Sequence, residues 1–85
     1  MSDEKIATAK GLCIIALTKY LMQYFEISQD EAFEKLLGME LYELVMDTET
    51  RLFLETNDSL CELCEKELAE GKEALYQTLS ENIFV

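Results

Sequence analysis

No proline interrupts this chain, and glycine occurs only at Gly11, Gly38 and Gly71. These two residues are the usual punctuation of helices, so a chain nearly free of them is biased toward long helical runs. The first run shows the consequence. Ile6, Ala9, Cys13, Ala16, Leu17, Tyr20, Leu21 and Tyr24 recur at three- and four-residue steps, and Leu12, Ile14 and Ile15 widen the stripe. The spacing predicts a long, largely buried helix over residues 4–25.

Ile27-Ser28-Gln29-Asp30-Glu31-Ala32 marks the end of that helix and the start of the next. Ser28 can accept from a backbone N–H of the new turn while Glu31, three residues on, reaches back, as in a capping box. Asp30 and Glu31 also suit the positive end of the helix dipole. Ala32, Phe33, Leu36 and Leu37 supply the apolar face, and Gly38 is expected to end the helix in a left-handed conformation. Leu41, Tyr42, Leu44 and Val45 then predict a short helix running to about Met46.

Asp47-Thr48-Glu49-Thr50-Arg51 breaks the pattern, and Leu52-Phe53-Leu54 reads as an extended segment. A minimal hairpin pairing Val45-Met46 with Leu52-Phe53 is one option there, although two isolated strands are marginal without helix support. A last helical region begins at Asn57-Asp58-Ser59, with capping-box spacing from Ser59 to Glu62. Leu60, Cys64, Leu68, Leu75 and Leu79 carry its stripe through Gly71. Either one long helix tolerates Gly71 at a cost of about 1 kcal/mol relative to alanine, or two helices meet there. The unbroken phase favours the single kinked helix. The expected fold is mainly α: one small domain over residues 1–85, a bundle of four to five helices, with at most a minimal β-hairpin or extended segment near residues 45–54.

Size and charge narrow the functions open to such a bundle. Eighty-five residues hold one core, and 49% hydrophobic residues are enough to fold it. A large enclosed active site is hard to build at this size. The net charge of −11 is unevenly spread, because residues 1–27 hold three acids and three lysines whereas residues 28–85 hold fifteen acids against Lys35, Arg51, Lys66 and Lys72. Phosphate and anionic-membrane binding depend on clustered Lys and Arg, so neither nucleic acid nor membrane is an expected direct partner. A protein with a basic surface is electrostatically welcome. The sequence carries no signal-peptide pattern or apolar span, and its three cysteines read as reduced thiols, which together predict a cytoplasmic protein.

Few motifs suggest chemistry. Cys61-Glu62-Leu63-Cys64 has the spacing of a metal or redox pair, but a zinc site needs two more ligands, histidine is absent, and only Cys13 is left over. Glu62, Glu65 and Glu67 oppose thiolate formation, and Cys64 falls on the apolar stripe, so both cysteines are read as structural. Asp47 to Asp58 fails as a calcium loop, with Leu52 where glycine is required and Asp58 in place of the final glutamate. Without histidine no base is placed to activate a hydroxyl or thiol. No enzyme activity and no cofactor are expected.

What remains is surface. Asp58, Glu62, Glu65 and Glu73 share the outer face of the last helical region, and Asp30, Glu31 and Glu34 mark the second helix. Such faces are solvated, partly balanced by Glu31–Lys35 and Glu62–Lys66 at i,i+4, or they recognise a partner. Tyr20, Met22, Tyr24, Phe25, Phe33, Met39 and Tyr42 form either core or an aromatic and methionine surface for a partner helix. The terminal Ile83-Phe84-Val85 either closes the core or inserts into a partner or second subunit.

From Ile27-Ser28, Glu31-Ala32 and Leu36 to Asp47-Thr48-Glu49-Thr50-Arg51-Leu52-Phe53-Leu54-Glu55, the chain resembles small uncharacterised bacterial proteins of mobile or toxin-linked gene neighbourhoods. That resemblance implies an antitoxin-like or accessory binding role and transfers no catalytic residues. The leading expectation is therefore a protein-binding module, an antitoxin or inhibitor, that meets a basic protein through Asp58, Glu62, Glu65 and Glu73 and is anchored by Tyr42 and Phe84. Self-association into a homo-oligomer is compatible with the same apolar groups. The alternatives are a nucleic-acid mimic that blocks a DNA-processing enzyme and, third, a cysteine-based metal or redox protein.

Overall fold

The first helix, α1, runs from Asp3 to Phe25, and most of the remaining chain packs around it. The structure, a computed structural model, describes residues 2–81, without the side chain of Glu81. Ser2 caps α1 by accepting from the Lys5 N–H, and Asp3 and Glu4 lie in its first turn, where the helix dipole favours negative charge. At the other end Glu26 adopts a left-handed conformation (φ 54°, ψ 52°), and the Ile27 N–H returns to the Met22 carbonyl at 3.2 Å. This is the closure that normally recruits glycine.

Helix α2 (Gln29–Leu37) begins on Ser28 as its spacing predicts. The Glu31 N–H donates to Ser28 Oγ, but the return bond is made by the Ser28 hydroxyl to Glu31 Oε1 at 3.1 Å rather than from a backbone amide. Gly38 ends α2 with φ −87°, so the left-handed terminus expected there does not form. The Gly38 and Met39 N–H groups instead bond to Lys35 and Leu36 carbonyls in a tight turn that any residue can adopt.

Helix α3 (Glu40–Met46) has no side-chain cap of its own, because its N-cap residue is Met39. The chain then makes two 3₁₀ turns, Thr48–Thr50 and Leu52–Leu54, joined by Arg51 at φ 59°. No strand forms among the described residues, so the hairpin between Val45-Met46 and Leu52-Phe53 is replaced by a helical corner. Thr50 explains why. Its hydroxyl donates to the Leu44 carbonyl, an orphan at the end of α3, and accepts from the Leu52 N–H. Asp47 accepts from the Glu49 N–H in an Asx turn. These local bonds satisfy the backbone groups that a hairpin would have paired.

Helix α4 (Asn57–Glu70) starts at Asn57 as expected, but its cap is Thr56 rather than Ser59: the Thr56 hydroxyl accepts from the Ser59 N–H. Helix α5 (Lys72–Glu81) follows after a single residue. Gly71 sits at φ 93°, ψ 174°, a backbone open essentially only to glycine, so two helices meet there and the single kinked helix is ruled out. α5 folds back against α4. The core is one cluster fed by all five helices and the second 3₁₀ turn, with Leu17, Leu21, Leu36, Leu41, Leu60, Cys64 and Leu75 fully shielded. Each such leucine contributes about 1.5–3 kcal/mol of burial.

Long-range polar links add to the packing. Glu67 on α4 places both carboxylate oxygens on the first amides of α3, accepting from Glu40 N–H and Leu41 N–H at 2.9 Å each. It is the cap that Met39 cannot provide. The buried Cys13 thiol donates to the Phe53 carbonyl at 3.5 Å, tying the middle of α1 to the 3₁₀ corner.

Candidate functional site

The residues expected to meet a partner fall on separate parts of this bundle. Asp58 is exposed in the first turn of α4, and Glu62 and Glu65 are exposed further along it. Glu62 and Glu65 open onto a cleft of about 470 Å³ between α4 and α5, whose walls also include Ser59, Lys66, Glu70 and Thr78. Glu73 is exposed on the first turn of α5. Its place on a common face with Asp58, Glu62 and Glu65 required a helix continuous through Gly71, and that helix does not exist. Phe84, with Ile83 and Val85, lies outside the described residues.

The cleft is acidic in effect as well as in composition. Its lysine, Lys66, pairs with Glu70 at 3.1 Å rather than with Glu62. Glu62 and Glu65 are left without an opposing cation among the described residues. The second expected pair is also absent: Glu31 bonds to Ser28, and the Lys35 ammonium lies 4.8 Å from the Phe25 ring centroid. Phe25, the last residue of α1, offers the face of its ring to this α2 ammonium across the α1–α2 contact.

The CxxC pair is held away from ionisation. Cys64 is fully buried, and burial, with lesser contributions from Cys61 and Glu67, pushes its thiol up to about 12. Burial and then the Asp58 charge raise the half-buried Cys61, and burial alone raises Cys13. A thiolate near neutral pH, which metal ligation and thiol exchange both require, is disfavoured at all three. Among the described residues no group of three His, Cys, Asp or Glu side chains is arranged to hold a metal ion. No helix among them is long and apolar enough to cross a membrane.

Tyr42 belongs to a different surface. It is half-buried and lines an apolar trough of about 710 Å³ bounded by α1, Phe33 of α2, and Tyr42 and Met46 of α3. The aromatic and methionine residues singled out in the sequence thus divide. Met39 is core, Tyr20 and Met22 pack against the core, Tyr24 and Phe25 meet edge to face in the open with ring centroids 4.9 Å apart, and Phe33 and Tyr42 face the trough. Periodicity alone misses the trough because its walls come from three helices. The one sequence signal for it is the width of the α1 stripe, since Ile14 and Ile15 cannot both point into one core.

A further acidic group stands at the α3 N-terminus, where the Tyr76 hydroxyl donates to Glu40 Oε2 at 2.7 Å beside the capping Glu67. The bond to Glu40 raises the Tyr76 phenol above its ordinary value. The arrangement joins α5 to α3 and is structural. Comparison of the chain with protein-family models, with curated proteins and with solved structures returns no match.

Proposed function

We propose that this chain is a protein-binding module, of antitoxin-like, inhibitory or accessory type, that meets a basic surface on another protein. The observation that carries this reading is the α4–α5 cleft, where Glu62 and Glu65 are exposed while Lys66 is committed to Glu70. A cation arriving there faces two unopposed carboxylates. Asp58 extends the same charge along α4 toward its first turn, and the net charge of −11 steers a basic partner in from a distance. Raised thiol pKa values leave the cysteines as packing residues, which favours binding over thiol chemistry.

The test is affinity capture from a soluble extract of the native host with immobilised wild-type chain and with the variant Glu62→Lys, Glu65→Lys, Glu73→Lys. The expected result is a basic protein retained by the wild type, eluted by salt, and lost from the variant. A retained set that the reversal leaves unchanged sinks the electrostatic reading. Displacement of that protein by stoichiometric duplex DNA would instead make the chain a nucleic-acid mimic.

A further inference from the structure

The connection between α4 and α5 is a hinge of one residue, and the helices on its two sides are in phase with each other. Leu60, Cys64, Leu68, Leu75 and Leu79 keep helical spacing across Gly71, although the chain reverses there at φ 93°, ψ 174°. A reversal asks only that α5 turn its own apolar residues inward. It does not ask that they continue the stripe of α4, which is a condition set by a straight helix.

Backbone bonding favours the straight form. The Gly71 N–H closes α4 on the Glu67 carbonyl, and the Leu75 N–H opens α5 on the Gly71 carbonyl. Between them the N–H groups of Lys72, Glu73 and Ala74 are not paired with the carbonyls of Leu68, Ala69 and Glu70, which a continuous helix would give them. Gly71 has no side chain with which to cap α5 in compensation. What holds α5 in place is also portable. It packs on α4, buries Leu75, sets Leu79 beside Leu44 and Leu52, and donates from the Tyr76 hydroxyl to Glu40. A second copy of the chain offers the same groups at the same spacing.

We propose that two copies of this chain exchange α5. Gly71 straightens in each, Asn57 to Glu81 becomes one helix about 37 Å long, and each α5 repeats on the other copy's α3 and α4 the contacts it makes at home. A two-fold axis through the hinge puts both cores on one side of each long helix, which is the condition that the shared phase meets. The inference goes beyond the protein-binding reading and changes the make-up of the α4–α5 cleft, whose Ser59, Glu62 and Glu65 then come from one copy and Thr78 from the other. Repulsion opposes the exchange, since each copy brings a net charge of −11, so salt favours it.

The test is sedimentation of the full chain under reducing conditions, after refolding from urea at about 1 μM and at about 1 mM in about 0.5 M sodium chloride. The wild type should be monomeric at the lower concentration and partly dimeric at the higher. Gly71→Ala disfavours the reversed turn and favours the helix, twice per dimer, so it should lower the dimer dissociation constant at least about a hundredfold. Insertion of Gly-Gly-Ser after Gly71 slackens the hinge and should leave a monomer at both concentrations. In dimers refolded from an equal mixture of ¹³C-labelled and unlabelled chains, isotope-filtered NOEs should join the Leu79 methyls to those of Leu44 and Leu52 between copies. A wild type that is monomeric at about 1 mM, or a Gly71→Ala chain that is monomeric or unfolded there, overturns the proposal. So does a dimer whose Leu79 contacts stay within one copy, or one that survives the insertion.

Discussion

Gly71 decides the path of the last third of the chain. Its φ of 93° with ψ of 174° lies in a region that a side chain makes costly, so Gly71→Ala should destabilise the fold by about 1–3 kcal/mol although a Cβ there would touch nothing. Urea unfolding of the two proteins checks this, and equal midpoints would mean that the turn relaxes. The sequence hid the break because Leu68, Leu75 and Leu79 keep helical phase across it, and phase cannot tell one helix from two that fold back with the same face inward. Cys64 gives a pH signature. Its folded pKa, raised to about 12 from 9.0 by burial, means the native chain keeps a proton that the unfolded chain releases. Folding stability should therefore be insensitive to this thiol below pH 9, fall as pH rises from 9 toward 12, and lose that slope in Cys64→Ala. Denaturation measured between pH 8 and 11 reads the difference in slope, and parallel curves would count against a buried thiol.

The elements themselves were largely legible. α1 and α2 begin and end within a residue or two of where the apolar steps and Ser28 put them, since local spacing and a local cap are sequence properties. The corner at residues 47–54 was not, because strand and 3₁₀ readings of Leu52-Phe53-Leu54 differ only in what Thr50 and Asp47 bond to. The start of α3 was hidden for a related reason: its cap, Glu67, lies 26 residues away on α4. Removing it in Glu67→Ala strands two amide groups and should cost about 1–2 kcal/mol, whereas the isosteric Glu67→Gln, which keeps one good acceptor, should cost less. Amide hydrogen exchange at Glu40 and Leu41 should accelerate selectively in Glu67→Ala. Unchanged protection at those amides would show that α3 does not depend on this contact.

For the whole molecule the uneven charge takes on a structural sense. α1 is close to neutral, yet it is not the largely buried helix its stripe predicts, since Cys13, Leu17, Thr18 and Leu21 are buried while Leu12, Ile15, Tyr24 and Phe25 are exposed; among the described side chains the acids within helices α2 to α5 are exposed apart from the half-buried Glu40 and Glu67. With one ion pair, Lys66–Glu70, among the described residues, repulsion between carboxylates is barely offset within the fold. Raising sodium chloride from about 20 mM to about 0.5 M should therefore raise the melting temperature by screening that repulsion. A melting temperature indifferent to salt would mean that the charges are too dispersed to matter. The surfaces were legible to unequal degrees, since Glu62 and Glu65 follow from helical phase, whereas the trough joins α1, α2 and α3 and exists only in the packed molecule. The central claim is that this exterior recognises a basic protein through the α4 carboxylates. Amide chemical-shift mapping of the ¹⁵N-labelled chain against its purified host partner tests it most directly. The account predicts shifts concentrated at residues 58–66; no shifts, or shifts confined to the outer face of α5, would contradict it.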